Sequence, residues 1–273
     1  MKTKIKCVVW DLDNTLWNGI LSEDSSVNIN QNVIRIIKTL DQRGILQSIC
    51  SKNDYSKAME KLKQFEIEDM FIYPEISWNP KSEGIKNIRD KINISMDSIA
   101  FVDDQIFERK EVNYHFPEVL CIDALDIDCI LENELFIPAH ITDDSKNRRK
   151  LYLDQIKRDE IKNHFAGTEV EFLKMLDMKF SISKVGEQDL DRAEELTVRT
   201  HQLNSTGITY SYDELKQLSE DENHILLMTQ LKDKFGDYGK IGLVLLKIEE
   251  GAWVIKLLLM SCRVMSQEGW ALF

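Results

Sequence analysis

The sequence predicts an α/β protein in which a parallel sheet, covered by helices on both faces, precedes a smaller α+β domain. Two observations lead to this fold class. Over residues 1–137, short apolar runs alternate with segments of helical apolar spacing, and this alternation is typical of a parallel sheet flanked by helices. Over residues 179–273, the apolar and helical segments follow the order β-α-α-β-β-β.

The first half of the chain contains nine predicted elements. The helix at 31–43 has apolar residues at positions 33, 36, 37 and 40 and ends before Gly44, a typical residue after a helix. The helix at 55–65 follows Asp54, which is a suitable N-cap. The predicted strands are 7–10, 45–50, 70–73, 99–102 and 119–122, and the remaining helices are 82–92 and 107–114.

The second half begins with a charged and mostly helical segment at 143–178, after a boundary marked by Pro138 and the pair Asp143 and Asp144. We expect this segment to be a helical linker between a first domain at 1–142 and a second domain at 179–273. The second domain has predicted strands at 179–185, 225–231, 241–248 and 253–260, predicted helices at 189–199 and 211–218, and predicted turns at 236–239 and 249–251.

Composition excludes several classes of protein. The net charge of −12 argues against nucleic acid as the main partner, because phosphate binding needs a basic surface. No apolar run is long enough to span a membrane, and the N-terminus lacks a signal-peptide pattern, so we expect a cytoplasmic protein. The five cysteines are scattered and form no Cys-x-x-Cys pair, which favours reduced thiols over a zinc site.

Polar side chains stand where the predicted strands end. Asp11 and Asp13 follow the first apolar run, and two carboxylates placed there repel each other unless a cation or a proton lies between them. Ser51 ends the second run, and the pair Asp103 and Asp104 follows a later one. Ligands of parallel sheets bind beyond these strand ends, and Lys81, ahead of a helix, completes the set.

This ordered set, Asp-x-Asp-x-Thr, Ser, Lys and Asp-Asp, resembles the haloacid dehalogenase (HAD) superfamily, whose sheet is Rossmann-like. The resemblance implies that Asp11 is the nucleophile that forms an aspartyl-phosphate and that Asp13 is the general acid/base. It implies that Ser51 donates to the phosphoryl oxygens and that Lys81 offsets their negative charge.

The same resemblance implies a Mg²⁺ cofactor. Asp11, the backbone carbonyl of Asp13, Asp103 and Asp104 would form an oxygen-rich metal site. The intervals between the motifs leave room for one helix with a short flap or strand and not for a large cap domain. An uncapped site is open to a group carried by a macromolecule.

The whole chain resembles the FkbH-like proteins of HAD subfamily IIIC, which act in polyketide biosynthesis. The matching stretches are KCVVWDLDNTLW at 6–17, ICSKN at 49–53, FVDDQIFER at 101–109, RTHQLNST at 199–206 and LMSCRVM at 259–265. The resemblance implies a transferase that takes a glyceryl unit from 1,3-bisphosphoglycerate, releases phosphate and loads a phosphopantetheinylated acyl carrier protein. It also implies membership of a larger synthase or operon.

A cysteine thioester intermediate would suit such a transfer, and the sequence leaves the cysteine open. Cys50 beside Ser51 ranks first, while Cys7 lies further back on its strand and Cys262 lies in the second domain. Buried core cysteines are the common alternative for each.

Four further residues are predicted to bind substrate: Lys52, Asn53, Arg109 and His201. His201 is also a candidate base for a thiol, with an ordinary core or surface histidine as the alternative. A basic cluster between Lys146 and Arg158 is a candidate docking patch for an acidic carrier protein, or else a solvated helix face.

The second domain resembles the first part of a GNAT acyltransferase. Residues 266–269 depart from that pattern, because no glycine-rich turn is present there to bind an acyl-CoA pyrophosphate, and the chain ends at Phe273 as if cut from a longer protein. Three alternatives remain: a Mg²⁺-dependent phosphatase acting on a phosphoprotein or small phosphate ester, a GNAT-type acetyltransferase, and a non-enzymatic docking module of a synthase.

Overall fold

A computed structural model of the chain describes residues 3–23, 26–200 and 203–261. The chain divides into two compact units, Met1–Arg149 and Lys150–Phe273. The three-part division at residues 142 and 178 stays a prediction. Among the described helices, none combines the length and the apolar character that a membrane span requires.

The first unit is built on a parallel five-stranded sheet, which confirms the predicted α/β class. Its strands lie in the order β5-β4-β1-β6-β7. The strands are β1 (Cys7–Trp10), β4 (Leu46–Ser51), β5 (Glu75–Ile76), β6 (Ile99–Asp103) and β7 (Leu120–Asp123), and the hairpin of β2 (Trp17–Asn18) and β3 (Asn28–Ile29) follows β1. The helices are α1 (Gln31–Gln42), α2 (Tyr55–Gln64), α3 (Lys81–Ile92) and α4 (Ile106–His115). Short 3₁₀ helices lie at Glu68–Met70, Met96–Ser98, Ala124–Leu131 and Glu134–Phe136.

The helices of this unit begin and end as their sequences predict. The Asn30 side chain accepts from the first amides of α1, whose apolar face is buried. The Asp54 side chain accepts from the amide of Lys57 and caps α2. Burial of these apolar faces against the sheet supplies most of the driving force for the two helices.

The predicted strand at 70–73 is wrong. Tyr73 adopts a positive φ of 48°, and Pro74 has no amide hydrogen to donate to a ladder. The chain nevertheless follows β4, because the amide of Ile72 donates to the carbonyl of Gln47 at 2.9 Å. Pairing as a strand begins two residues later, at Glu75.

The second unit holds an antiparallel sheet in the order β11-β10-β9-β8. Its strands are β8 (Lys179–Lys184), β9 (His224–Asp233), β10 (Gly236–Glu249) and β11 (Ala252–Met260), and its helices α8 (Leu190–Arg199) and α9 (Tyr212–Glu220) lie between β8 and β9 in the chain. Leucines of both helices and of three strands form one core on one face of the sheet. The helical segment predicted at 143–178 forms α5 (Asp143–Lys146), α6 (Arg148–His164) and α7 (Glu169–Leu176).

The predicted turn at 236–239 is misplaced. The chain reverses before Gly236, where β10 already begins, and the pairing of β10 with β9 shifts register after Asp237. Asp233 stabilises the reversal, because its Oδ1 accepts from the amides of Phe235 at 2.8 Å and Gly236 at 3.0 Å.

The three arginines of the basic cluster between Lys146 and Arg158 are engaged within their own units. Arg148 is buried and donates to the carbonyl of Gly44, and Arg149 is paired with Asp41. Arg158 is fully buried and pairs with Asp233 in the second unit. The three arginines therefore serve packing and ion pairs within their own units.

Candidate active site

The site lies at the carboxyl edge of the parallel sheet, where three neighbouring strands end. β1 is paired with β4 on one side and with β6 on the other. Asp11 follows β1 directly, Ser51 is the last residue of β4 and Asp103 is the last residue of β6. The topology therefore brings these three predicted residues to one edge, as the sequence indicates.

Lys81 is the first residue of α3, and its side chain is buried among carboxylates. Its Nζ donates to the Asp11 carboxylate, to Asp103 Oδ2 at 3.0 Å and to the Cys50 carbonyl at 2.8 Å. Burial lowers the pKa of Lys81, but Asp11 and Asp103 raise it by more, so the net shift is upward. The ammonium is thus held charged between the two carboxylates.

Asp11, Asp103 and Asp104 form a carboxylate cluster, each offering one oxygen within 4.8 Å of the others. Asp104 Oδ1 is buried and has no hydrogen-bond partner among the described residues. Burial raises the pKa of Asp103 to about 6, with Lys81 opposing the rise and Asp11 adding to it. Burial and the neighbouring Asp11 likewise raise the pKa of Asp104. Carboxylate oxygens are hard ligands, and the buried Asp104 oxygen receives no hydrogen bond from the described residues. The cluster therefore fits a divalent cation such as Mg²⁺.

Asp13 lies beside this cluster, held by three donors. Its Oδ1 accepts from Trp17 Nε1 at 2.7 Å and from the Leu21 amide at 3.1 Å, and its Oδ2 accepts from Asn53 Nδ2 at 2.9 Å. Burial raises the pKa of Asp13 despite these bonds. The carboxyl group is therefore oriented and biased towards holding a proton, as a general acid must be. Asn53, predicted to bind substrate, donates to Asp13 and so helps to position it.

Two further residues predicted to bind substrate, Lys52 and Arg109, are engaged within the protein. Lys52 pairs with Glu108 at 2.7 Å, and Arg109 pairs with Asp123 and donates to the Asp103 carbonyl. Arg109 thereby fixes the strand end that carries two of the clustered carboxylates. His201 lies outside the described residues.

The structure does not bring the Cys50 thiol into the cluster. Cys50 is buried, its Sγ lies 3.5 Å from the Lys81 carbonyl, and a Cβ added to Gly84 would meet that Sγ at 2.5 Å. Burial raises the pKa of the thiol to about 12, so it stays protonated. The Cys50 thiol therefore packs against α3, and its role as a nucleophile stays a prediction. Cys7 is buried as well, and Cys262 lies outside the described residues.

Glu111 is a residue of this region that the sequence analysis missed. Its side chain, on α4, accepts from the amide and the hydroxyl of Ser82, the second residue of α3. Pro80, the residue that precedes α3, provides no side-chain cap. Glu111 therefore caps the helix that presents Lys81. A charged residue inside a helix pattern gives no sequence signal of such a role.

The intervals between the strands that carry the site residues are short in the described part of the first unit. The β2–β3 hairpin and α1 occupy the interval between β1 and β4, and α2 with a single 3₁₀ turn occupies the interval between β4 and β5. Neither interval holds a cap domain in the described residues, as predicted from their lengths.

Comparison with known proteins agrees with this geometry. Residues 15–110 match the family of haloacid dehalogenase-like hydrolases, a stretch that includes Ser51, Lys81, Asp103 and Asp104. The matched stretch lies within the first unit. No curated protein matches the chain.

Solved structures of this superfamily are also similar to the chain. One is the N-terminal part of the Bacteroides fragilis protein BF1531, which contains a phosphatase domain and was solved with Mg; identity is 30%, the TM-score is 0.47, and the match covers 51% of this chain but only 42% of that one. A HAD-superfamily hydrolase from Ehrlichia chaffeensis has 15% identity and a TM-score of 0.38, covering 48% of this chain and 99% of that one. A HAD-superfamily hydrolase of subfamily IA from Geobacter sulfurreducens has 12% identity and a TM-score of 0.37, with coverage of 44% and 89%.

Proposed function

We propose that the protein is a Mg²⁺-dependent enzyme that uses Asp11 to cleave phosphate from its substrate. The observation that carries this proposal is the buried Lys81 ammonium between Asp11 and Asp103, next to the unpartnered Asp104 oxygen. Asp11, Asp103 and Asp104 would hold the metal, with the Asp13 carbonyl as a further ligand. The bound Mg²⁺ would neutralise charge on the phosphoryl oxygens.

Each residue of the site has a separate role in this reaction. The Asp11 carboxylate attacks phosphorus, so that a new P–O bond forms while the bond to the leaving oxygen breaks. Asp13, oriented by Trp17 and Asn53, gives its proton to that oxygen. It afterwards takes a proton from the water that attacks the phosphorus of the aspartyl-phosphate, which breaks the bond between phosphorus and Asp11 and releases phosphate. Lys81 balances the charge that collects between Asp11 and the phosphoryl group.

For the substrate we propose a three-carbon acyl phosphate, 1,3-bisphosphoglycerate, with an acyl carrier protein of polyketide biosynthesis as the acceptor. The FkbH-like motifs and the short intervals between the strands that carry the site residues support this choice. The donor has two phosphoryl groups, and forming an unphosphorylated glyceryl thioester requires the loss of both. Asp11 suits the phosphate ester, whereas the acyl phosphate is displaced when a thiolate attacks the acyl carbon: a C–S bond forms and the C–O bond to phosphate breaks.

The acyl step needs no cysteine of this chain if the phosphopantetheine thiol of the carrier attacks directly. The burial of Cys50 supports this direct route. A GNAT-like second unit, a larger synthase and a cytoplasmic location remain parts of the same proposal; the element order β8-α8-α9-β9-β10-β11 supports the first of these.

A second candidate function is a phosphatase acting on a phosphoprotein or a small phosphate ester. The oriented acid Asp13 favours it, because hydrolysis of a phosphate ester needs a general acid and attack of a thiol on an acyl phosphate does not.

Intact-protein mass spectrometry distinguishes the two functions. The chain is incubated with Mg²⁺, 1,3-bisphosphoglycerate generated in situ and a phosphopantetheinylated carrier protein, and Asp11→Asn is the control. A glyceryl-sized mass increase on the carrier, absent with Asp11→Asn, supports the transferase. Phosphate release without any carrier modification supports the phosphatase, and no reaction in either assay contradicts both.

A further inference from the structure

The two oxygens of the Asp13 carboxyl group have different hydrogen-bond partners. Oδ1 accepts from two N–H donors, the Trp17 indole at 2.7 Å and the Leu21 amide at 3.1 Å. Oδ2 accepts from one donor among the described residues, the side-chain amide of Asn53 at 2.9 Å. This difference decides which of the two oxygens can carry a proton.

The side chain of Asn53 is fixed in the orientation that donates to Asp13. Its Oδ1 accepts from the backbone amide of Asp54 at 3.2 Å, so its Nδ2 is the group that faces Asp13 Oδ2. Asn53 therefore offers Oδ2 a donor and no acceptor, and it does not hold a proton that Oδ2 carries. Asn53 also lies two residues after Ser51, so Oδ2 is on the β4 side of Asp13, where the phosphoryl group is expected.

The contacts of Oδ1 disfavour a proton on that oxygen. A protonated carboxyl oxygen has room for one further hydrogen bond in the carboxyl plane, and Oδ1 already receives two N–H groups. A proton there would displace the Trp17 indole or the Leu21 amide and leave an N–H group inside the protein without an acceptor, which is costly. The neutral acid therefore carries its proton on Oδ2.

The Trp17 indole is held in place by packing and by strand pairing. Its side chain is fully buried, its ring packs against that of Phe65 with centroids 6.3 Å apart, and its backbone pairs with Ile29 in the β2–β3 hairpin. The Leu21 donor is a backbone amide, which only a proline removes. Each of the two donors to Oδ1 can therefore be removed by a single substitution.

We propose that Asp13 delivers its proton from Oδ2, and that Trp17 is a positioning residue that imposes this by occupying Oδ1. The inference rests on the proposed phosphoryl transfer to Asp11. As the ester bond to phosphorus breaks, the O–H bond at Asp13 Oδ2 breaks too, and the leaving oxygen takes the proton and departs as a neutral alcohol. Asp13 is left as a carboxylate.

This arrangement suits alkyl phosphate monoesters as the substrate class. An alkoxide is a strong base and leaves readily only when it receives a proton, whereas p-nitrophenolate is a weak base and leaves without one. A misplaced proton should therefore slow the cleavage of an alkyl phosphate and spare that of p-nitrophenyl phosphate. A substitution that only disturbs the fold would slow both alike.

The test measures kcat/KM of the full chain with Mg²⁺ for glycerol phosphate and for p-nitrophenyl phosphate, because kcat/KM includes the step in which the leaving group departs. Trp17→Phe keeps an aromatic ring and removes the N–H donor. The matched control is Trp10→Phe, since the fully buried Trp10 indole donates at 2.8 Å to Gln47 and not to a carboxylate of the site. Asp13→Asn shows the loss expected when the acid is absent.

We expect Trp17→Phe to lower kcat/KM about 10- to 100-fold for glycerol phosphate and less than about threefold for p-nitrophenyl phosphate, with a larger contrast in Asp13→Asn. Trp10→Phe should keep the wild-type ratio of the two values. If Trp17→Phe does not fold, Leu21→Pro removes the other donor to Oδ1 and should show the same contrast.

Two results would count against the proposal in different ways. Equal losses on both esters, or no loss on either, would overturn the positioning role of Trp17 and leave the phosphoryl transfer intact. Hydrolysis of neither ester by the wild type would overturn the proposed function, and this inference with it.

Discussion

Glu111 accepts hydrogen bonds from both the amide and the hydroxyl of Ser82 and so ties α4 to the first turn of α3. α3 begins with Lys81, and α4 follows the carboxylates Asp103 and Asp104. The same contact therefore sets the position of the Lys81 ammonium relative to Asp103, to which it donates, and to the neighbouring Asp104.

We expect Glu111→Ala to lower kcat for phosphate release roughly 10- to 100-fold, because Lys81 loses its fixed position, and to cost about 1 kcal/mol of stability as a lost cap. KM should change little. The matched control is Glu83→Ala, since Glu83 is exposed in the same first turn and contributes at most a few tenths of a kcal/mol through the helix dipole. Glu111→Gln keeps an acceptor and should restore part of the rate. Equal kcat values for both alanine variants would contradict the positioning role.

The close packing of Cys50 against Gly84 gives a second prediction. A Cβ on Gly84 would lie 2.5 Å from Cys50 Sγ, so Gly84→Ala should cost about 1–3 kcal/mol and displace α3 with its Lys81. Cys50→Ala removes the clash, and Gly84→Ala should cost much less in that background. Urea unfolding of the four proteins in a double-mutant cycle measures this coupling.

Cys50→Ala alone should retain acyl loading of the carrier protein, because the thiol is buried and protonated at neutral pH. Loss of loading in this variant, with phosphate release intact, would instead restore Cys50 as the site of a thioester.

A buried ion pair in the second unit gives a fourth prediction. Arg158 and Asp233 have no side-chain exposure, and Tyr238 donates to Asp233 at 2.9 Å while its ring stacks on the guanidinium. Asp233→Asn removes the carboxylate that pairs with the buried arginine and should cost on the order of 3–5 kcal/mol. Tyr238→Phe removes one hydrogen bond and should cost about 1 kcal/mol. Hydrogen exchange of the β9 and β10 amides provides a readout local to this unit, and equal protection in the two variants would be the contrary result.

The carboxylates and the lysine of the site could be predicted from sequence because each follows directly from a strand end or a helix start. Asp11, Asp103 and Asp104 stand where buried apolar runs stop, and parallel strands bring their carboxyl ends together. The position of Lys81 could be predicted because the predicted start of α3 was correct to within one residue.

Contacts between elements distant in the sequence could not be predicted in this way. Glu108 and Glu111 look like ordinary solvated helix residues, and only the packing of α4 shows that they engage Lys52 and Ser82. The surroundings of the Cys50 thiol could not be predicted either, because the alternation of the strand turns it to α3 while its neighbour Ser51 ends β4 at the site. The strand predicted at 70–73 from its apolar composition is absent, because Tyr73 adopts a positive φ that a strand does not accommodate.

The carboxylate cluster gives a final prediction, on the pH dependence of Mg²⁺ binding. Burial raises the pKa of Asp103 to about 6, against an ordinary value of 3.8, so the folded protein holds more protons than the unfolded chain between these pH values. The free energy of unfolding of the metal-free protein therefore decreases as pH rises from about 4 to 6. Mg²⁺ needs the deprotonated carboxylates, so the rise in Tm on adding Mg²⁺ should grow from pH 5 to pH 7. Thermal unfolding with and without Mg²⁺ across this range measures the effect. Asp103→Asn should abolish most of the increase, whereas a Mg²⁺ shift in Tm that is independent of pH, or unchanged in this variant, would place the metal elsewhere.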